Sequence, residues 1–217
     1  LGFAGANITV PHKEAAFAAA DRADDAAAKL KAANVLRVEA DGSLSAFNTD
    51  APGFIAALER VSPGWRDQRR RSLLVIGAGG AAKAVCYGLL QAGAPAVTLI
   101  NRTLSRAQEV ATLIGPGVNV RPWEDLQSAM SRSDLIINGV AHDDDIAWPF
   151  ASAKANPLCI DLRYGQMKSR FLREAFASGF SVSDGLPMLI HQGALAFHHW
   201  FGVTPDIEAA YELLANP

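Results

Sequence analysis

The sequence predicts an α/β fold: a doubly wound parallel sheet of Rossmann type, plus a smaller α/β domain that the C-terminal helices complete. Three observations predict it. Apolar strand-like runs alternate with helical stretches through residues 72–185, the pattern of a parallel sheet covered on both faces. A glycine-rich turn, Gly77-Ala78-Gly79-Gly80-Ala81, directly follows one of those runs. Residues 1–60 read instead as a separate unit of short strands and alanine-rich helices.

In chain order, Ala6-Asn7-Ile8-Thr9-Val10 reads as a strand, and Pro11 suits the first turn of a following helix. Alanine-rich helix runs from about Ala15 to Lys31 in two pieces. Val35 to Glu39 and Leu44 to Phe47 flank Asp41-Gly42, a hairpin turn signal. A helix through Phe54, Leu58 and Val61 follows Asp50 and is broken by Pro63-Gly64. Strands are then expected at Leu73–Ile76, Val97–Ile100, Val118–Val120, Leu135–Asn138 and Leu158–Asp161, with helices between most of them. A long apolar helix from Met188 to Phe201 and a short one from Pro205 to Leu214 close the chain.

The glycine turn carries chemistry as well as shape. Gly77 lets the chain turn tightly, Gly79 lets backbone approach a pyrophosphate, and Ala81 lets the helix pack close to its strand. The helix that follows, from Ala82 to Ala92, offers free N–H groups and a positive dipole end to that anion. Past the second strand, Val97-Thr98-Leu99-Ile100, stand Asn101-Arg102-Thr103, with Arg106 one helical turn on. A guanidinium suits a ribose 2′-phosphate, whereas a carboxylate there would suit a free ribose hydroxyl. The expected cofactor is NADP(H). For Arg102 alone, a solvated arginine capping a strand is the simpler alternative.

Composition sets limits. The 217 residues are half hydrophobic, ample for a core and for one or two domains. Twenty Lys and Arg against 22 Asp and Glu give a formal charge of −2, which supplies no case for nucleic acid or an acidic membrane surface. The cluster Arg66, Arg69, Arg70 and Arg71 reads as a solvated linker, with phosphate binding the minor alternative. Cys86 and Cys159 read as buried small hydrophobes, with no disulfide scaffold or zinc site. No apolar run reaches membrane-spanning length, and a cytoplasmic enzyme is the default expectation.

Three residues are candidates for chemistry on the smaller domain. Lys13 sits near a helix N-terminus, where the dipole disfavours a cation and suits a group that hands over a proton. By position alone an ordinary exposed lysine is the favoured reading. Asp50, before Pro52 and an apolar helical run, makes a good N-cap, and a capping loop is also a rigid mount for a carboxylate. Together a lysine and an aspartate suit alcohol–ketone interconversion. Gln192 sits beside His199 at the edge of the stripe Leu189, Gly193, Ala196 and Trp200, which fits either a cleft or the solvent margin. His191 and His198, seven residues apart, make a poor metal site, and Asp143-Asp144-Asp145 reads as a solvated loop.

Four motifs in register, Asn7-Ile8-Thr9-Val10-Pro11-His12-Lys13, Asn48-Thr49-Asp50, Gly77 to Ala81 and Asn101-Arg102-Thr103-Leu104-Ser105-Arg106-Ala107, resemble the shikimate dehydrogenase family. The resemblance spans nearly the whole chain. It implies NADPH-dependent reduction of 3-dehydroshikimate to shikimate in aromatic amino-acid biosynthesis. It implies Lys13 and Asp50 as the catalytic pair. Asn7, Thr9, Asn34, Tyr164 and Gln192 match positions that bind the substrate or shape its pocket. Gly77, Ala78, Gly79, Gly80 and Ala81 match the pyrophosphate cradle, and Arg102 with Asn101, Thr103 and Arg106 the 2′-phosphate clamp. Gly185 matches a glycine near the nicotinamide. The family's N-terminal segment, with its pair of serines, is expected to be lacking, which would leave an open sheet edge. The chain differs from the family pattern at Val35, at Asn138-Gly139-Val140-Ala141, and at Gln166 and Ser169.

These readings divide the chain into a substrate-binding and catalytic domain, 1–62 with 188–217, and an NADP-binding domain, 63–187. The implied partner is a small molecule, shikimate or 3-dehydroshikimate, and the protein would be a monomer or homodimer. Quinate or an aminoshikimate as substrate remain open, as do a non-catalytic NADP-binding sensor and an unrelated folate-type dehydrogenase.

Overall fold

Short strands and alanine-rich helices bury little apolar surface one at a time, so the first sixty residues must share a core. In the computed structural model, which describes residues 2–67, 72–154, 156–165 and 169–215, they do so around a four-stranded sheet. The elements are β1 (Gly5–Asn7), α1 (Lys13–Ala18), β2 (Arg22–Ala23), α2 (Asp25–Leu30), β3 (Val35–Val38), β4 (Leu44–Phe47) and α3 (Asp50–Val61). Strand order is β1-β3-β4-β2, with β1 and β2 at the edges. Ala16, Ala27, Ala33 and Ala46 form the buried centre, with Ile8, Phe17 and Leu36 packed against it. Small side chains there let helices lie close on a small sheet.

Two local readings shift. The first strand stops at Asn7: the Ile8 amide donates to the Asn34 carbonyl (2.8 Å), and the His12 amide turns back to Thr9 (2.9 Å). Pro11 therefore stands ahead of α1, whose N-cap is His12, and not in its first turn. The alanine-rich stretch divides where Asp21 and Asp24 accept hydrogen bonds from Leu44, Ala27 and Asn48, making room for the edge strand β2. Its two residues, Arg22 and Ala23, carry no strand signal.

The central segment folds around β5 (Leu73–Ile76), α4 (Gly80–Gln91), β6 (Val97–Ile100), α5 (Leu104–Ile114), β7 (Val118–Arg121), α6 (Leu126–Met130), β8 (Leu135–Asn138), β9 (Leu158–Asp161), α7 (Arg170–Ala177) and β10 (Ser181–Ser183). Its six strands are parallel in the order β10-β9-β8-β5-β6-β7. Renumbered within the sheet this is 3-2-1-4-5-6, the doubly wound order, with its reversal between β5 and β8. Every residue of β5 and β8 is buried, as strands covered on both faces require. The serine-flanked edge strand β10 is not legible in the sequence because only Val182 is apolar. Cys86 and Cys159 are buried, and burial pushes both thiols up to about 12, too high for a nucleophile at neutral pH.

The chain ends in α8 (Leu186–Phe201) and α9 (Ile207–Ala215). Backbone contacts divide the whole into unit 1, Leu1–Leu58 with Pro187–Pro217, and unit 2, Glu59–Leu186. Arg66 is described, 3.9 Å from Glu59 on the surface, whereas Arg69, Arg70, Arg71 and Gln166 lie outside the described residues. Among the described residues no helix is long and apolar enough to cross a membrane.

The loop after β8 is tied down by a buried ionic cluster. Asp143 and Asp161 are almost fully buried, and Arg163 pairs with each at 2.9 Å. The other Asp143 oxygen accepts from the Phe171 amide (2.8 Å), and Arg163 also donates to the Ala141 carbonyl (3.1 Å). The loop Asp143-Asp144-Asp145 is thus only partly solvated. Burial opposes ionisation of Asp143, but the Phe171 amide and Arg163 outweigh it and hold the carboxyl below its usual range. A lowered carboxyl adds stability above its unfolded value near 3.8, and that stability is lost as pH falls through the lower folded value. Arg163→Ala should therefore cost about 2–3 kcal/mol at neutral pH in urea unfolding, near the low end for a broken buried pair because the arginine is 32% exposed. The penalty should shrink in acid; a cost independent of pH would contradict the assignment.

Candidate active and dinucleotide sites

In unit 1, Lys13 is the first residue of α1 and Asp50 the first residue of α3. The sequence pattern suggests Asp50 as the cap of its helix. The structure gives the capping contact to Asn48, whose side-chain oxygen accepts weakly from the Ala51 amide (3.4 Å), and frees the Asp50 carboxylate for other work. That carboxylate meets Lys13 Nζ at 2.5 Å, with the side chains only 15% and 8% exposed. A cation at a helix N-terminus is disfavoured and an anion favoured, so the aspartate compensates the lysine's poor position.

Asn34, 3% exposed, organises the pair. Its amide nitrogen lies 2.8 Å from Thr49 Oγ1, 3.1 Å from Gln192 Oε1 and 3.2 Å from Asp50 Oδ1, while its oxygen accepts from the Thr49 amide (2.7 Å). Two hydrogens serve three oxygens, so at least one hydrogen is shared between two acceptors. Two bonds to backbone carbonyls fix the geometry further: the Ala33 amide donates to the Lys13 carbonyl (2.9 Å), and the Asn48 side-chain Nδ2 to the Ala32 carbonyl (2.9 Å). Gly53 lets α3 and α8 approach, since a Cβ there would stand 2.7 Å from Gln192. Gln192 thereby reaches Asn34 and, through it, the pair.

Of the predicted unit 1 residues, Lys13, Asp50, Asn34 and Gln192 meet. Asn7, at the end of β1, and Thr9, in the turn after it, are exposed. Thr49, 1% exposed and bonded to Asn34, joins the site without having been singled out by the sequence, although it lies inside the Asn48-Thr49-Asp50 motif. Val35 is fully buried in β3.

In unit 2, Gly77 has φ +103°, and a Cβ there would lie 2.9 Å from the Gly139 carbonyl. The turn after β5 thus abuts the loop after β8 at the order reversal, where doubly wound sheets bind ligands. Gly79 is the N-cap of α4 and makes no side-chain cap, and a Cβ on Gly79 or Gly80 would meet nothing within 4 Å. Exposed amides at an open, uncapped helix start fit a pyrophosphate. The small residue buried beneath the helix is Ala82, fully covered, and not the half-buried Ala81 that the motif singles out. Ala78 is likewise half-buried in the turn.

Asn101 Nδ2 donates to the Thr103 carbonyl (2.8 Å), shaping the turn into α5, and Arg106 is exposed one turn along. Arg102 donates to Asp145 Oδ2 (2.8 Å) and to the His142 carbonyl (3.0 Å). No sequence signal points to those partners, which lie some forty residues away. Tyr164 is 61% exposed on unit 2. Gly185 is required by packing, because a Cβ would meet the Leu162 carbonyl at 2.2 Å. Ser169 caps α7 by accepting from the Leu172 amide.

Comparisons with known proteins follow the same lines. Residues 59–156 match the family model "Shikimate / quinate 5-dehydrogenase", 185–215 the "Shikimate 5'-dehydrogenase C-terminal domain", and 1–36 the "Shikimate dehydrogenase substrate binding domain". A shikimate dehydrogenase (NADP(+)) of Brucella canis is 41% identical over 96% of this chain and 74% of its own length. A solved shikimate 5-dehydrogenase of Thermus thermophilus, in complex with NADP(H) and shikimate, superposes with a TM-score of 0.83 at 37% identity, covering 97% of this chain and 78% of that one. A quinate dehydrogenase from Corynebacterium glutamicum in complex with NAD gives 0.89 at 27% identity, covering 100% and 79%. With two-fifths identity sustained over nearly its full length, the chain belongs to the shikimate dehydrogenase family.

Proposed function

We propose that this protein is an NADP-dependent shikimate dehydrogenase that interconverts 3-dehydroshikimate and shikimate, with Lys13 and Asp50 as its catalytic pair. The observation that carries this reading is the Lys13–Asp50 ion pair, largely buried and bonded through Asn34 to Gln192. A ring bearing a carbonyl beside hydroxyls matches this set of groups. The lysine ammonium can donate to the carbonyl oxygen, polarise it, and deliver a proton there as the alcohol forms. The aspartate holds the ammonium in place and can accept from a neighbouring hydroxyl. Asn34, Thr49 and Gln192 supply an amide, a hydroxyl and a second amide for the remaining oxygens, with Asn7, Thr9 and Tyr164 as further substrate contacts. In the oxidative direction the same lysine takes up the proton.

Unit 2 would hold the dinucleotide. Gly77 to Ala81 would offer backbone to its pyrophosphate, and Asn101, Arg102, Thr103 and Arg106 would hold its adenosine 2′-phosphate, with Gly185 assigned to the nicotinamide end. When bound, the nicotinamide supplies or accepts the hydride. Names of relatives support this cofactor, and so does the guanidinium at the end of the second strand of the motif. The NAD-bound quinate dehydrogenase among the structural neighbours sustains a second reading, quinate as substrate, which Arg102 disfavours in its NAD-linked form.

Lys13→Ala should lower turnover roughly 10²-fold or more, the usual loss for an acid–base group, while NADP+ affinity stays nearly unchanged. An unchanged rate would remove Lys13 from the mechanism. Arg102→Ala should weaken NADPH by at least about tenfold, the worth of a charge-assisted bond, with NADH affected far less. Equal losses for both cofactors would show that Arg102 does not read the 2′-phosphate.

A further inference from the structure

The guanidinium assigned to the 2′-phosphate already carries an anion. Arg102 is gripped at both terminal nitrogens, by the Asp145 carboxylate and the His142 carbonyl, and its guanidinium carbon stands 6.0 Å from the Trp123 ring. Asp145 is exposed, but its chain neighbours are tied down. Two residues before it, Asp143 is buried against Arg163 and the Phe171 amide; immediately after it, Ile146 is 5% exposed and its amide donates to the Asp143 carbonyl (3.0 Å). Between them the Asp144 carbonyl accepts from Arg170 (2.8 Å). The loop after β8 thus presents one carboxylate, at a set place, to the residue that a phosphate would use.

We propose that Asp145 is a specificity-determining residue of the dinucleotide site: its carboxylate competes with the ribose 2′-phosphate for Arg102, weakening NADP(H) binding and narrowing discrimination against NAD(H). This rests on the reading of Arg102 as the 2′-phosphate contact. A phosphate that takes the guanidinium must displace Asp145 from it; that loss opposes a dianion and leaves binding of the uncharged ribose hydroxyl of NAD(H) unopposed. Phosphate binding would also release Asp145, coupling cofactor arrival to the loop whose other end is anchored by Arg163.

The test is equilibrium titration of the full chain with NADPH and with NADH, following nicotinamide fluorescence at low and moderate salt. Asp145→Asn should tighten NADPH roughly twofold to fivefold, the range for one exposed charge pair, and change NADH by less than about 1.5-fold. The gain should shrink with salt. Asp144→Asn removes the same charge one residue away without touching Arg102 and should tighten neither cofactor. In the Arg102→Ala background, Asp145→Asn should no longer tighten NADPH. If Asp145→Asn leaves NADPH unchanged or weaker while Arg102→Ala still loses NADPH selectively, competition is refuted and the reading of Arg102 stands. Equal tightening by Asp144→Asn, or tightening that persists without Arg102, would also refute it by showing a general field. Equal loss of both cofactors in Arg102→Ala would overturn the reading of Arg102 and this inference together.

Discussion

A lysine at the start of one helix and an aspartate at the start of another, brought within 2.5 Å and largely out of solvent, constrain the whole of unit 1. The lysine stands where the α1 dipole disfavours it; the aspartate stands where the α3 dipole favours it. Each charge offsets the cost of the other, since an unpaired buried charge costs several kcal/mol. Around the pair stand Asn34 bonded to the Asp50 carboxylate, Ala33 bonded to the Lys13 carbonyl, and a glycine at position 53 that admits α8. Strands β3 and β4 supply the frame, since Asn34 immediately precedes one and Asn48-Thr49 follows the other.

Unit 2 answers a different constraint. A parallel sheet buried on both faces leaves only its strand ends for chemistry, and the reversal of strand order between β5 and β8 opens a place there. Gly77 and Gly139 let the two loops touch at that place, and the uncapped start of α4 leaves its amides for an anion. The loop after β8 is not free to vary: Asp143 and Arg163 pin it to α7 and β9, so whatever it carries is held in position.

Much of this was legible in the sequence because it is local. Leu73–Ile76, Val97–Ile100, Leu135–Asn138 and Leu158–Asp161 are dense apolar runs whose length and flanking turns specify strands, and all four form as expected. β10 and β2 were hidden because edge strands need little apolar character, and pairing with a neighbour decided them. In the candidate site, residue types were readable but contacts were not. Nothing in the spacing of Lys13 and Asp50 says they touch; the family motifs singled them out, and the sheet joins them. Asp145 was beyond reach altogether, since its partner Arg102 lies on a different strand end and its neighbour Asp143 looked equally solvated. Asp50 shows the opposite failure, a sound local rule for helix caps overridden by a charge partner and satisfied instead by Asn48.

If Lys13 and Asp50 polarise the substrate and unit 2 binds NADP, one experiment reads both at once. Nicotinamide absorbance should be followed with this chain, shikimate and NADP+, against quinate and NAD+ in parallel. Reduction that requires shikimate and proceeds much faster with NADP+ than with NAD+ is the predicted result. No reduction despite measurable NADP+ binding, or equal rates with both cofactors, would contradict it.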